Sequence, residues 1–177
     1  MDFFQATCAA TGELLPGEFA EATANQIDAA CERAADAALK LREFSPERLG
    51  EFLSAVASEI QSRRTEIVAR CELETGYINA RVEGEFDRAA GQLNLFSRLA
   101  AERPWDRVTS EPADPDRKPF PKPRMSRRFV PVGPVAVFGA CNFPLAISVV
   151  GNDFVSAIAT GNPVIVKSHP SHPGTCE

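Results

Sequence analysis

The chain has no run of apolar residues approaching the roughly 20 that a membrane-spanning helix needs. Its first ten residues lack the basic start and long apolar core of a secretory signal. It has no G-x-G-x-x-G turn and no Walker-type phosphate loop, so neither familiar nucleotide fingerprint is present. Its five cysteines (Cys8, Cys31, Cys71, Cys141 and Cys176) are scattered and form no CxxC pair. Structural zinc and a disulfide framework are therefore not expected, and reduced thiols are. A net charge of −5 argues against nonspecific binding to nucleic acid or an anionic membrane. These features together predict a cytoplasmic protein.

The 177 residues suit one domain with a real core, and the apolar and charged fractions are ordinary for a globular protein. Residues 1–24 carry turn signals at Thr11-Gly12 and Pro16-Gly17, as in a small hairpin. Helical spacing follows. Ile27, Ala30, Cys31, Ala34, Ala38 and Leu41 recur on one face. Ser45-Pro46 predicts a capped helix start, and Leu49, Phe52, Leu53, Val56 and Ile60 make its stripe until Gly76 breaks it. A third stripe runs through Val82, Phe86, Ala89, Leu93 and Phe96.

The prolines at 104, 112, 115, 119, 121 and 123 make residues 102–128 an extended crossing, a loop or an edge strand. Val130 to Phe138 then reads as a strand buried on both faces, and Gly139 to Pro144 as a tight turn. Ala146 to Thr160 reads as a helix turning Ile147, Val150, Phe154 and Ile158 inward. Val164 to Val166 reads as a second buried strand. This is one strand–helix–strand unit of a parallel sheet. The fold class is α/β: a hairpin and helices (1–101), the proline-rich crossing (102–128), and an incomplete Rossmann-like parallel sheet (129–177). Two parallel strands cannot cover both their faces, and Thr175-Cys176-Glu177 reads as the first residues of a helix, so the sequence is expected to stop inside a fold.

Ligands of open parallel sheets bind beyond the carboxyl ends of the strands. The segments there hold Asn142 and Lys167. An amide at Asn142 can donate to a developing oxyanion, or it can cap a helix. Lys167 can bond the hydroxyls or phosphate of a ribose, or simply mark a solvated strand end. Cys141 stands near a predicted helix N-terminus, where a thiol could become nucleophilic, but it has no histidine close in sequence and reads better as a small packing residue. His169 and His172 form an HxxH without the carboxylates or cysteines of a metal site, so no metal is expected.

Read together, Pro131-Val132-Gly133-Pro134-Val135-Ala136-Val137-Phe138, Asn142-Phe143-Pro144-Leu145-Ala146 and Gly161-Asn162-Pro163-Val164-Ile165-Val166-Lys167 resemble, in order and spacing, the aldehyde dehydrogenase superfamily. The likeness is nearest to the 2-oxoglutarate semialdehyde (2,5-dioxovalerate) dehydrogenases. Glu74-Thr75-Gly76 adds to it, as do Arg81 with Glu83-Gly84-Glu85, Arg88, Gly91-Gln92-Leu93, and Lys167-Ser168-His169-Pro170-Ser171-His172-Pro173-Gly174-Thr175. It extends over essentially the whole chain and covers the first third or so of a family member.

The resemblance implies an NAD(P)-dependent oxidation of a small aldehyde to a carboxylic acid through a cysteine thiolate, a hemithioacetal and a thioester. Asn142 matches the family's oxyanion-holding asparagine. Lys167, followed by Ser168, matches the lysine that holds the adenosine ribose, and the backbone around Ala140 and Cys141 borders the cofactor. Pro170 stands where many NAD-preferring relatives have glutamate, leaving NADP open beside NAD. The nucleophile and general base of the family lie downstream of Glu177, so the 177-residue chain alone is expected to be inactive. The family implies a homo-oligomer at full length, with residues 102–128 in its oligomerisation region. Two alternatives stand beside this: a non-catalytic remnant that binds a nucleotide or a partner subunit, and a minimal thiol enzyme built on Cys141.

Overall fold

A computed structural model describes residues 2–177; Met1 lies outside the described residues. The chain opens with an antiparallel hairpin, β1 (Phe3–Thr7) and β2 (Leu14–Ala20), as the turn signals predict. Ala6, Cys8, Leu15 and Phe19 form a small core beneath it.

Helix α1 (Ala24–Leu41) starts at a capping box, in which Thr23 and Gln26 satisfy each other's backbone amides. Its stripe is only shallowly used: Ala34 is buried, while Ile27 and Cys31 are exposed. Helix α2 (Pro46–Ser62) is capped by Ser45, whose hydroxyl accepts from the Arg48 amide, with Pro46 in the first turn. The helix predicted to run to Gly76 is in fact two. The chain turns at Arg63, and α3 (Arg64–Thr75) ends at Gly76 in the left-handed conformation. Nothing local marks that break: no glycine or proline stands near it, and the Arg63 amide is satisfied by the Glu59 and Ile60 carbonyls.

Helix α4 (Asn79–Glu102) buries the predicted stripe, with Val82, Phe86, Ala89 and Leu93 withdrawn from water. It crosses α2 closely at Gly50, where a Cβ would stand 2.6 Å from the Ser97 carbonyl oxygen. The core between them holds Leu49, Leu53, Ala57, Leu93 and Ala100, and Val155 and Ile158 join it from a later helix. Phe52, counted in the stripe of α2, is exposed instead.

The proline-rich segment folds back as an antiparallel pair, β3 (Thr109–Glu111) with β4 (Met125–Arg127), fully exposed along both strands. β5 (Val135–Phe138) and β6 (Val164–Lys167) then pair in parallel, Phe138 opposite Lys167. The strand is shorter than the apolar run that contains it, and only Val137 of β5 is buried. Phe129, Val130, Val132 and Phe138 are exposed, and β6 is only half-buried. Both strands were expected to be covered on two faces; helices α1 and α5 pack against them within the chain, and much of their apolar surface remains in water.

The crossover helix α5 (Asn152–Ala159) starts six residues later than predicted. Residues 144–151 instead make tight turns: the Asn152 amide donates to the Ala146 carbonyl, and Gly151 lies against Ala146 so closely that a Cβ would meet its carbonyl oxygen. A short α6 (Pro173–Cys176) follows β6. Among the described residues, no helix is long and apolar enough to cross a membrane.

Candidate functional site

Two loops leave the carboxyl ends of β5 and β6, and a set of backbone bonds ties them side by side. The Gly139 amide donates to the Lys167 carbonyl at 2.9 Å, extending the ladder one step past the strands. Gly139 is hemmed in by Ser148 Oγ and the His169 amide, at 3.0 and 3.3 Å from where a Cβ would be, so this turn admits little more than glycine. Ala140 is held twice, its amide donating to the Ile147 carbonyl at 2.9 Å and its carbonyl meeting His172 Nε2 at 3.0 Å.

Beyond it, Cys141 and Asn142 are exposed. The capping role open to Asn142 is not the one it takes: α5 begins ten residues on, with Gly151 at its cap. The amide of Asn142 forms no hydrogen bond with another described residue, while its backbone is gripped from α4. Arg81 Nη2 donates to the Asn142 carbonyl at 2.7 Å, and the same guanidinium lies over the rings of Tyr77 and Phe143 at 4.1 and 5.6 Å. Glu85, buried one turn along α4, stands 3.4 Å from Arg81 and accepts a long bond from the Leu145 amide. Arg88 also lies over the Phe143 ring, 5.6 Å from its centroid. Asn142 is thus offered to solvent with its main chain fixed.

On the second loop, Lys167 and Ser168 are exposed at the end of β6. His169 and His172 stack with ring centroids 5.3 Å apart rather than converging on a common point. Glu74, buried at the end of α3, accepts bonds from the Gly174 and Thr175 amides, each at 2.8 Å, and from the Thr175 hydroxyl at 2.6 Å, with Arg70 Nε at 3.0 Å behind it. That carboxylate fastens the far end of the loop to the helical layer.

The arrangement brings Ala140, Cys141, Asn142, Lys167 and Ser168 to one edge of the parallel pair, as the strand order requires. The donors suit a polyhydroxyl or phosphorylated ligand: a free amide, a lysine and a hydroxyl beside a turn without a Cβ. A cleft of about 380 Å³ lies elsewhere, between α3, α4 and α6, lined by Ile67, Arg70, Phe86, Leu145 and Cys176. None of the five residues borders it.

Sequence reasoning missed two features here. Arg81 and Glu85 stood only within a pattern of likeness, and their hold on the Asn142 loop spans some 60 residues. His172 was weighed only as a metal ligand, yet its Nδ1 lies 3.5 Å from the Cys176 thiol. The four-residue spacing of the pair was the available signal.

Comparison with known proteins gives this edge its context. The chain is 42% identical over 159 residues to alpha-ketoglutaric semialdehyde dehydrogenase 2 of Azospirillum brasilense, covering 90% of this chain and 30% of that protein. It is 29% identical over 173 residues to N-succinylglutamate 5-semialdehyde dehydrogenase of Legionella pneumophila (strain Corby), covering 98% of this chain and 32% of that one. The chain therefore spans about a third of the length of these relatives. Among solved structures, aldehyde dehydrogenase 21 from Physcomitrella patens, in complex with the reaction product succinate, superposes with a TM-score of 0.86 at 22% identity, over 98% of this chain and 35% of that one. Succinate-semialdehyde dehydrogenase from Burkholderia pseudomallei gives 0.85 at 23% identity, over 99% and 34%. These two establish the fold. The model of the aldehyde dehydrogenase family matches residues 2–177, and the chain belongs to that family.

Proposed function

We propose that this chain is the N-terminal part of an NAD(P)-dependent dehydrogenase that oxidises a small semialdehyde, 2-oxoglutarate semialdehyde, to the carboxylic acid. The observation that carries the reading is the free, exposed Asn142 amide at the end of β5, its carbonyl held by Arg81. With its main chain held, the unpaired side-chain amide is left available to donate to a developing oxyanion, which is where such a donor contributes most. Lys167 and Ser168 would hold the ribose of the cofactor, with the turn at Gly139 to Cys141 beside them. The bound nicotinamide supplies the hydride acceptor. Pro170 brings no carboxylate to repel a ribose phosphate, so NADP fits as well as NAD. The substrate follows the names of the relatives that share the sequence pattern. Like other dehydrogenases of this type, the complete protein is proposed to be a cytoplasmic homo-oligomer, with the exposed β3–β4 arm in its subunit contact.

Asn142→Ala tests the reading. In the complete enzyme, kcat should fall roughly 10²- to 10³-fold, the usual effect of deleting one oxyanion donor. Cofactor affinity should hold within about twofold, because the ribose contacts assigned to Lys167 remain. An unchanged kcat in steady-state kinetics would refute the assignment. The 177-residue chain by itself should show no NAD- or NADP-dependent turnover.

A second reading has its own observation. Phe129, Val130, Val132 and Phe138 are apolar and exposed within ten residues of chain, as in a remnant that docks on a partner subunit. The intact mass of the protein from its source separates the two readings: a mass far above 19.2 kDa supports the dehydrogenase, and one near it supports the remnant.

A further inference from the structure

A thiol, an imidazole and a hydroxyl meet behind the β5 turn, away from Asn142 and Lys167. Cys176 Sγ lies 3.5 Å from His172 Nδ1 and 3.5 Å from Ser148 Oγ. His172 is completely buried and Ser148 nearly so, whereas Cys176 is half-buried on the wall of the cleft between α3, α4 and α6.

The tautomer of His172 follows from its other contact. Its Nε2 sits 3.0 Å from the Ala140 carbonyl oxygen, which can only accept, so Nε2 carries the proton. Nδ1 of the neutral ring is then an acceptor directed at the thiol. A thiol next to a base that is itself oriented by a third group is the arrangement of an activated sulfur nucleophile. The electrostatics agree with it. Burial raises the pKa of the Cys176 thiol, but its hydrogen bonding with His172 and Ser148 and the charge of His172 outweigh burial and leave it below the usual value. Burial likewise pulls His172 down, and the Cys176 thiol with the Ala140 carbonyl overcomes it, leaving the imidazole above its usual value.

The other cysteines lack this environment. Cys31 and Cys141 are exposed and Cys8 and Cys71 are buried, none of them bonded to an imidazole; hydrogen bonding with Thr11 lowers the pKa of the Cys8 thiol, which lies within the small core of the hairpin. Burial, ahead of an opposing hydrogen bond from Thr75, pushes Cys71 up to about 12.

We propose that Cys176, activated by His172 and Ser148, is a modification site that exchanges with low-molecular-weight disulfides entering from the cleft. The Cys176 thiolate attacks one sulfur of the disulfide. A new S–S bond forms as the old one breaks, and the departing thiolate takes the bonding electron pair and the proton of the His172 imidazolium. Cys176 is thereby oxidised to the mixed disulfide, and half of the reagent leaves as a reduced thiol. Because His172 also holds Ala140, the adduct loads the turn that carries Cys141 and Asn142.

The test is exposure of the native purified protein to oxidised glutathione at neutral pH, with adduct formation at each cysteine followed by peptide mass spectrometry. Cys176 should react roughly tenfold faster than Cys31 and Cys141 despite being less exposed, since thiolate fraction rather than access then sets the rate. His172→Gln should bring Cys176 down to the rate of the other two, and Ser148→Ala should slow it by a smaller factor. Equal or faster reaction at Cys31 or Cys141, or no adduct at Cys176, would overturn the proposal. That ranking is read from the unsubstituted protein, so it stands even if the His172 variant fails to fold.

Discussion

Leu53 and Leu93 meet between α2 and α4 with no exposure at all, whereas Phe138, on the first parallel strand, is 69% exposed. Both regions are rich in apolar residues, but they obtain cover differently. A helix pair supplies its own: each amphipathic stripe has one apolar face, and a single partner helix covers it. A parallel strand cannot, because each of its two faces needs a separate layer. Here α1 and α5 lie against the strands while Phe129, Val130, Val132 and Phe138 face water. The helical layer therefore holds the most completely enclosed side chains, and the sheet edge is where apolar surface is left in water.

Substitutions in the two regions should differ sharply. Leu93→Ala removes a fully enclosed side chain and should lower stability by about 2–5 kcal/mol, read from denaturant unfolding followed by far-ultraviolet circular dichroism. Gly50→Ala drives a methyl into the Ser97 carbonyl at the α2–α4 crossing and should cost about 1–3 kcal/mol in the same measurement. Phe138→Ala should change the stability of the 177-residue chain by less than about 0.5 kcal/mol, as for an exposed site. A large loss at Phe138, or a negligible one at Leu93, would break the contrast. A cost of about 3–5 kcal/mol for Phe138→Ala in a longer protein would sharpen it, by showing that the face is covered there.

The parts of the fold read correctly from sequence are those with local causes. The Ser45-Pro46 start is made within its own turn, and the stripe from Val82 to Leu93 and the βαβ order announce themselves as spacing within short windows of sequence. The misreadings have distant causes. Arg63 ends a helix without a glycine or proline to announce it, and α5 begins at Asn152 because residues 144–151 fold back on Ala146 and the end of β5. The apolar run before Val135 lies outside β5 although it reads as strand, because hydrophobicity records a demand for cover, not its supply. At the site, the loop positions of Asn142 and Lys167 were legible from the strand ends. The grip of Arg81 and the pairing of His172 with Cys176 were not, since each depends on where another segment comes to rest.

The buried carboxylate of Glu74 also imposes an order of assembly. Its partners at Gly174 and Thr175 lie 100 and 101 residues further along the chain. A growing polypeptide exposes α3 long before those amides exist, so Glu74 first waits in water beside Arg70. Enclosing it without them would strand a charge, which is costly. The segment from β6 to α6 therefore docks on a helical layer already formed, and the closure of so long a loop is slow compared with the pairing of α2 with α4. In kinetic terms, the edge that carries Lys167 becomes native after the helical layer beneath it, and Glu74 is the catch that registers its arrival.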